Sequence, residues 1–479
     1  MRVVLVHPAG SNWVEGHRDA SVLANRMAPL GLLSLAAWLE KVGHQVTVID
    51  CLGPDAKPNA KNNDNTIARI LGAEPELVGF STTTSAFLDA WQLTKGLKSL
   101  KPDLPVLFGG VHVSALGGDL LKRFPEIDFL VIGEGELTLA ELAAGKDPAT
   151  IDGLVYRGEH GPITNPARAP IVDIDALPFP AYDKLAGFPD RYELPLFSSI
   201  NAPGATMITS RGCPYQCSYC DRSVFKRGYR FNSATYVYEH MAWLRKRFNV
   251  RHVNIYDDLF TLHRERIEEL CGKLIEKPLG LHFNCAVRVG YVDDQLLRLL
   301  KKAGCLMVSL GIETGDPKLL EVHKPGVYLD EVRQTVARIQ KHGLRAKGLF
   351  MMGLPGETEE SIKITSDFVI SLQLDDMNMA KFTPFFGAPV WKTIAEEGEL
   401  KEDWPLMNCL NFVFLPKGIA SWQRLDELYN RHVKRFYSDP GWRQRLMSRC
   451  WQHRRSFWRL LRHLPAFVAA MNSFQPGRK

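Results

Sequence analysis

Three cysteines fall within eight residues in the stretch CPYQCSYC at 213–220, spaced Cys213-x3-Cys217-x2-Cys220. Thiolates at such spacing bind soft metals or iron–sulfur clusters. Three thiolates leave one iron of a four-iron cluster open for a small-molecule ligand. The alternatives are a zinc site, which needs a fourth ligand at short spacing, and a purely structural role. The nearest other cysteine is Cys271 and no histidine is close by, so the spacing favours a cluster.

Apolar strand patterns and helical patterns alternate along the chain on both sides of this stretch. We predict strands at Ala205–Thr209, His252–Tyr256, His282–Val287, Leu306–Gly311, Ala346–Met352 and Met377–Phe382. Helices are predicted between them at Ala234–Phe248, Arg264–Glu276, Asp293–Ala303, Leu329–His342 and Thr358–Leu372. Six strands alternating with helices indicate a partial (β/α)6 barrel, whose chemistry is expected at the carboxyl ends of the strands.

Polar residues and glycines follow several of these strands at the expected chemical end. They are Asp257, Asp258, Arg288, Glu313, Thr314 and the turn Gly353-Leu354-Pro355-Gly356-Glu357. Each has an ordinary alternative, because the aspartates suit a helix N-cap, the arginine suits a surface ion pair, and the turn suits a helix start. We nevertheless interpret them as candidate cofactor contacts.

An α/β domain is predicted before the barrel. Strands at Val3–His7, Gln45–Asp50, Leu77–Ser81, Pro105–Gly109 and Asp128–Gly133 alternate with helical segments, as in a doubly wound, Rossmann-like parallel sheet. Such sheets bind ligands at the carboxyl ends of their strands. The candidate binding residues there are Ser81, Thr82, Thr83, Gly109, Gly110, His112, Gly133, Glu134 and Gly135. Ordinary turn chemistry is the alternative for each segment, and the absence of G-x-G-x-x-G argues against a dinucleotide.

These motifs together resemble the radical S-adenosylmethionine (SAM) superfamily. The cysteine motif with Tyr219 before its last cysteine, Gly311-Ile312-Glu313-Thr314 and the Gly353–Glu357 turn are similar to motifs of that superfamily. The first domain is similar to the cobalamin-binding domain of one large subfamily. The resemblance implies a 4Fe-4S cluster on the three cysteines, with SAM on its open iron and cobalamin in the first domain.

The same resemblance implies roles for individual residues. Asp257 and Asp258 would approach the methionine amine of SAM, and Glu313 and Arg288 its ribose or carboxylate. Tyr219 and the turn containing Gly353 and Gly356 would contact the adenine. The motif D-x-H-x-x-G, whose histidine binds cobalt in many cobalamin proteins, is absent, so we expect no imidazole ligand from His7.

The charge of the chain is concentrated in its last residues. Residues 1–150 hold 13 Lys/Arg and 17 Asp/Glu, whereas residues 441–479 hold nine Lys/Arg and no acid. Trp442, Trp451 and Trp458 accompany this basic tail. A solvated helix, a membrane-surface contact, nucleic-acid binding and a partner protein are its alternative interpretations. We expect peripheral contact with the inner membrane surface and no nucleic acid.

Four regions are expected from these patterns: a cobalamin-binding domain at 1–145, a linker at 146–195, the radical SAM domain at 196–395 and a helical region at 396–479. The odd number of cysteines, nine, and the lack of a signal peptide or membrane span predict a cytoplasmic location.

Methylation of an unactivated carbon, or of phosphorus, in a small or lipid-like substrate is the activity expected from the resemblance. The electron donor would be a flavodoxin or a ferredoxin. The alternatives are an oxidative cyclase resembling the anaerobic magnesium-protoporphyrin ester cyclase, and a sensor that does not turn over.

Overall fold

The computed structural model describes residues 1–10, 13–14, 18–19, 27–53, 63–192, 194, 199 and 202–452. Its first part contains, in chain order, β1 (Arg2–His7), β2 (Trp13–Val14), β3 (Arg18–Asp19), α1 (Leu30–Lys41), β4 (Gln45–Asp50), α2 (Asn63–Gly72), β5 (Leu77–Ser81), α3 (Thr84–Leu100), β6 (Val106–Gly109), α4 (Val111–Leu116), α5 (Asp119–Arg123), β7 (Phe129–Val131), α6 (Glu136–Ala143), β8 (Leu154–Gly158) and β9 (Gly161–Thr164).

Seven of these strands form one sheet in the order β4-β1-β5-β6-β7-β8-β9. The first five are parallel, as predicted, and residues 3–6 of β1 are buried because helices cover both faces of the sheet. The predicted linker needs correction, since β8 and β9 lie within 146–195 and extend this sheet as an antiparallel hairpin. The sequence pattern does not predict this hairpin, because β8 has only three consecutive apolar residues. Its polar residue Arg157 donates hydrogen bonds to the carbonyls of Leu121, Phe124 and Ile127.

The second part contains the cysteines and a parallel sheet of six strands. Its elements are β10 (Gly204–Met207), β11 (Ser210–Arg211), β12 (Arg230–Phe231), α7 (Ala234–Phe248), β13 (His252–Ile255), α8 (Arg264–Glu276), β14 (His282–Val287), α9 (Asp294–Lys302), β15 (Cys305–Glu313), α10 (Pro317–His323), α11 (Leu329–Lys341), β16 (Arg345–Met352), α12 (Glu359–Ser371) and β17 (Asp376–Lys381). The order β10-β13-β14-β15-β16-β17 follows the chain, so the strands form the predicted partial barrel. The short helix α10 was not predicted.

The remaining elements are α13 (Ile394–Glu397), β18 (Gly398–Leu400), β19 (Phe414–Pro416), α14 (Trp422–Ser438) and α15 (Pro440–Gln452). Helix α14 covers the open edge of β17, where Tyr429 and Tyr437 donate their hydroxyls to the carbonyls of Met379 and Met377. This contact protects an edge strand that would otherwise be free to pair. Within the described ranges, no helix has the length and apolar character needed to cross a bilayer.

Candidate cluster and cofactor site

The cysteine loop, residues 213–220, lies between β11 and β12 at the carboxyl end of β10. Gly212 precedes it at φ +86°, and a Cβ there would stand 1.9 Å from the Gly228 carbonyl oxygen, so the loop requires glycine at that position. Cys217 is buried, and a hydrogen bond from the Cys220 thiol is the main reason that its pKa is lowered to about 6. Burial raises the pKa of Cys213.

Two cations lie close to the cysteine loop. The Lys324 ammonium contacts Glu313 Oε1 and the Gly311 carbonyl, each at 2.7 Å, and it helps to lower the pKa of Cys217. The Arg288 guanidinium lies 3.8 Å from the ring centre of Tyr215 and donates to the Pro325 carbonyl at 2.8 Å. Because a cluster with three thiolates brings negative charge into a partly buried site, these cations fit such a group.

His323 of α10 fastens the cysteine loop to the turn after β16. Its Nε2 donates to the Pro355 carbonyl at 2.8 Å, and its Nδ1 lies 2.7 Å from the Ser218 hydroxyl. The Ser218 amide also donates to the His323 carbonyl at 3.0 Å. Burial lowers the pKa of His323, which therefore stays neutral and holds both partners. The sequence gives no local sign of this role, since both partners are distant along the chain.

The turn after β16 keeps its shape through a buried carboxyl group. Glu357 accepts hydrogen bonds from the amides of Gly353 and Leu354, and burial raises its pKa to about 8. Tyr219 packs against the apolar cluster that contains Leu354, and it hydrogen-bonds the Cys217 thiol. The predicted adenine contacts Tyr219, Gly353 and Gly356 thus belong to one neighbourhood beside the cysteine loop.

The two aspartates after β13 have different environments. Asp257 accepts hydrogen bonds from the amide and hydroxyl of Thr209, both at 2.5 Å, and from the Ser210 amide at 3.2 Å. Arg266 approaches the same carboxylate at 4.0 Å. Asp257 therefore supports the backbone that enters the cysteine loop, whereas Asp258 is exposed and lies near Cys213.

Within the described part of the chain, no three His, Cys, Asp or Glu side chains converge as ligands of a single metal ion. A cubane instead places each thiolate on a different iron. The Lys324 and Arg288 side chains beside the cysteine loop suit the negative charge of such a cluster.

A cavity of about 740 Å³, part of it open to solvent, enters the first domain between its sheet and helices α1 and α6. We call it the cobalamin slot. Its deep walls are apolar, and its mouth contains six of the predicted residues. The lining includes Leu5, Leu32, Leu35, Gly79, Ser81, Leu107, Gly109, Gly110, Val131, Gly133, Glu134, Gly135 and Leu139.

Two glycines in the lining of the slot have no room for a side chain. A Cβ on Gly79 would come within 3.0 Å of the Leu5 side chain, and a Cβ on Gly110 within 2.5 Å of the Thr82 carbonyl oxygen. An apolar slot with a glycine-rich mouth at the carboxyl ends of parallel strands lies where a sheet of this kind binds its ligand.

Three predicted cobalamin contacts lie outside the lining of this slot. The Thr82 hydroxyl donates to the Gly109 carbonyl, and Thr83 is the residue before α3. His112 is buried between the rings of Phe87 and Trp404, with centroids 4.8 and 4.5 Å away, and burial lowers its pKa to about 3. These residues shape the strand ends and attach the C-terminal region to the first domain.

Glu134 and Glu136 form ion pairs with the barrel domain. The Arg211 guanidinium lies 2.5 Å from Glu136 Oε1 and 3.2 Å from Glu134 Oε2, and Arg230 pairs with Glu134. Arg211 also lines the slot and stands two residues before Cys213. We call these four residues the interdomain clamp, because they join the slot directly to the cysteine loop.

Residues 207–369 match the radical SAM superfamily, and residues 18–143 match the B12 binding domain. A Pyrococcus horikoshii protein named as an uncharacterized methyltransferase is 30% identical over 448 residues, covering 92% of this chain and 93% of that protein. The anaerobic magnesium-protoporphyrin IX monomethyl ester cyclase of Rubrivivax gelatinosus is 26% identical, covering 93% and 79%.

The fold is also similar to a solved structure of the radical S-adenosylmethionine methyltransferase TsrM from Kitasatospora setae, with cobalamin and a 4Fe-4S cluster bound. The TM-score is 0.64 at 22% identity, covering 82% of this chain and 78% of that chain. The two matched domains, together with the full-length relative, show that the chain belongs to the cobalamin-binding radical SAM enzymes, whose cofactors are a 4Fe-4S cluster, SAM and cobalamin.

Proposed function

We propose that this enzyme methylates an unactivated carbon, or less often phosphorus, in a small or lipid-like substrate. The observation that carries the proposal is the shared wall of the two cofactor sites. Arg211, Val224 and Phe225, which flank the cysteine loop on either side, also line the cobalamin slot. When bound, the cluster and SAM would supply a 5′-deoxyadenosyl radical, and cobalamin would supply a methyl group. Because the two sites share a wall, the radical and the methyl group would be supplied side by side.

The protein's own residues bind and orient these groups. Cys213, Cys217 and Cys220 are the proposed cluster ligands. The proposed SAM contacts are Tyr219, Asp258, Arg288, Glu313, Gly353 and Gly356. We add Lys324 because its ammonium lies beside Glu313. Asp257 is omitted, since its carboxylate is already engaged by Thr209 and Ser210.

Product analysis of the reduced, reconstituted enzyme tests the proposal. Methyl transfer predicts both 5′-deoxyadenosine and S-adenosylhomocysteine in the presence of substrate. Deoxyadenosine alone would indicate the cyclase-like alternative, and neither product would indicate a sensor. Cys271→Ala, which alters a buried cysteine away from the loop, serves as the matched control for Cys217→Ala.

The proposed electron donor is an acidic carrier such as a flavodoxin or a ferredoxin. Lys226 and Arg227 are exposed in the segment that follows the cysteine loop, which supports docking of an acidic surface. Cluster reduction by a flavodoxin should then slow as salt rises, and more so for wild type than for a Lys226→Ala/Arg227→Ala variant. A salt-independent rate would contradict this donor.

We also propose that the basic tail contacts the inner membrane surface. Residues 453–479 of this tail lie outside the described part of the chain. One of its three tryptophans, Trp442, is buried and donates its indole N–H to the Asp375 carbonyl at 3.2 Å. The contact would therefore involve the tail beyond α15. Co-sedimentation with anionic vesicles should be lost in a chain ending at Gln452, and equal binding of both chains would refute it.

A further inference from the structure

A buried ion pair lies beside the cysteine loop. Lys324, the residue after α10, and Glu313, the last residue of β15, are each 8% exposed. The Lys324 ammonium lies 2.7 Å from Glu313 Oε1 and donates to the Gly311 carbonyl at the same distance. Taking two charges out of water often costs more than their attraction returns, so stability alone does not explain a buried pair at this place.

The end of β15 is shaped around the pair. Glu313 has φ +71°, a left-handed conformation that residues other than glycine seldom adopt. The register between β15 and β16 shifts between Gly311 and Glu313. A Cβ on Gly311 would stand 2.5 Å from Lys324 Nζ and 2.7 Å from Glu313 Oε1, so glycine is needed beside the pair. Backbone strain of this kind is typical of functional sites.

Helix α10 holds Lys324 next to the cysteines. The carbonyl of the preceding residue, His323, accepts a hydrogen bond from the Ser218 amide at 3.0 Å, and its ring bonds the Ser218 hydroxyl at 2.7 Å. Ser218 follows Cys217 directly in the loop. From this position the Lys324 ammonium interacts electrostatically with the sulfur atoms of Cys217 and Cys220.

Charges of both signs act on the three thiols. The cations are Lys324 and Arg288, and the carboxylates are Glu313 and Asp258. Arg288 and Asp258 both act on the Cys213 thiol. Lys324 and Glu313 are bonded to each other, so removing either charge leaves the other unbalanced beside the cysteines.

Such a balance of charge has a direct consequence for electron uptake. Reduction by a one-electron carrier adds one negative charge to a group held by three thiolates, and no bond forms or breaks in that step. In a partly buried site, where water and salt screen weakly, a nearby cation stabilises the reduced form and a nearby carboxylate stabilises the oxidised form.

We propose that Lys324 raises the reduction potential of the cluster on the cysteine loop and that Glu313 limits this rise. The pair thereby sets how strong a one-electron donor the enzyme needs. The inference rests on the proposed cluster ligands, and it does not depend on the reaction that follows.

A redox titration of the reconstituted holoenzyme, before SAM is added, tests this role. Titanium(III) citrate is the reductant, and the electron paramagnetic resonance of the reduced cluster gives the midpoint potential. At the wild-type midpoint, Lys324→Met should lower the ratio of reduced to oxidised cluster roughly tenfold, a shift of about 59 mV to lower potential. Glu313→Gln should shift the midpoint to higher potential. Lys324→Arg keeps the charge and should stay close to wild type.

Lys347→Met is the matched control. Lys347 of β16 also forms an ion pair with little exposure, at 2.8 Å from Asp376 Oδ2, but this pair lies at the start of β17 and not at the cysteine loop. The control should leave the midpoint unchanged. Should Lys324→Met retain too little iron to titrate, Glu313→Gln decides alone. An unchanged midpoint, a shift of the opposite sign, or a Lys324→Arg midpoint as low as that of Lys324→Met overturns the inference.

Failure of the proposed function would look different. The midpoint is measured without substrate and without methyl transfer. Deoxyadenosine without S-adenosylhomocysteine would refute methylation and leave the role of Lys324 standing. S-adenosylhomocysteine formation together with unchanged midpoints in the variants would support methylation and refute the role of Lys324.

Discussion

Replacement of Arg211 by methionine should loosen the contact between the two large domains. The Arg211, Glu134 and Glu136 side chains are only 14%, 7% and 5% exposed. Without the guanidinium, Glu134 still pairs with Arg230. Glu136 loses its cation partner and keeps hydrogen bonds from its own backbone amide and from the Ser34 hydroxyl at 3.0 Å. Removing one partner of a buried ion pair costs about 3–5 kcal/mol, and because Arg230 remains we expect a loss of about 3 kcal/mol.

Scanning calorimetry of the cofactor-free protein measures this loss through a cycle of Arg211→Met, Glu136→Leu and the double variant. The double variant should recover part of the stability, with a coupling energy of about 1–3 kcal/mol between the two sites. Lys122→Met, which breaks an exposed pair with Asp119 in the same domain, is the control and should change nothing measurable. Strict additivity, or an Arg211→Met midpoint equal to that of the control, would refute the reasoning.

The pH dependence of the same cycle has a defined sign. Burial alone would raise the pKa of Glu136, but Arg211 more than offsets it and holds that pKa below the ordinary value of 4.5. A carboxyl whose pKa is depressed by folding stabilises the fold above its unfolded pKa and stops doing so as the pH falls through its folded pKa. The difference between wild type and Arg211→Met should therefore shrink below about pH 4.5.

Three further outcomes are expected. Alanine at any cysteine of the 213–220 loop should abolish both iron binding and deoxyadenosine formation. Cys271→Ala should retain both. Deoxyadenosine production by a variant with all three loop cysteines replaced would contradict the cluster assignment. Glu357→Gln should gain stability relative to wild type as the pH rises from about 4.5 to 8. Burial raises the pKa of Glu357 to about 8, so over this range the native state keeps a proton that the unfolded chain releases, and wild type loses stability. A difference that does not vary with pH in thermal unfolding would exclude this. His7 is bound through Nδ1 to Asp50 at 2.9 Å, and without D-x-H-x-x-G we expect His7→Ala to leave the electron paramagnetic resonance of the cob(II)alamin form unchanged; a nitrogen splitting lost in this variant would identify His7 as a cobalt ligand.

The strands and the cluster motif were predictable because their signals are local. Residues 3–6 and 77–80 are continuous apolar runs, as strands covered on both faces must be, and the cysteine spacing lies within one loop. Glu134 lies in the lining of the slot, but its pairing with Arg211, 77 residues away, has no local signature. The contact of His112 with Trp404 has no local signature either, since the two residues are far apart along the chain.

The segment between β11 and β12 carries the proposed cluster ligands, and its Val224 and Phe225 line the slot of the first domain. Arg211 ties its start to the first domain, and His323 ties the cysteine loop to the turn after β16. Beyond the cysteines, Asp221 accepts hydrogen bonds from the amides of Ser223 and Gly387. A shift of this segment would move the cluster ligands and the slot wall together. Its attachment on three sides therefore holds the proposed cluster ligands at a fixed distance from the slot, as the proposed methyl transfer between bound groups requires.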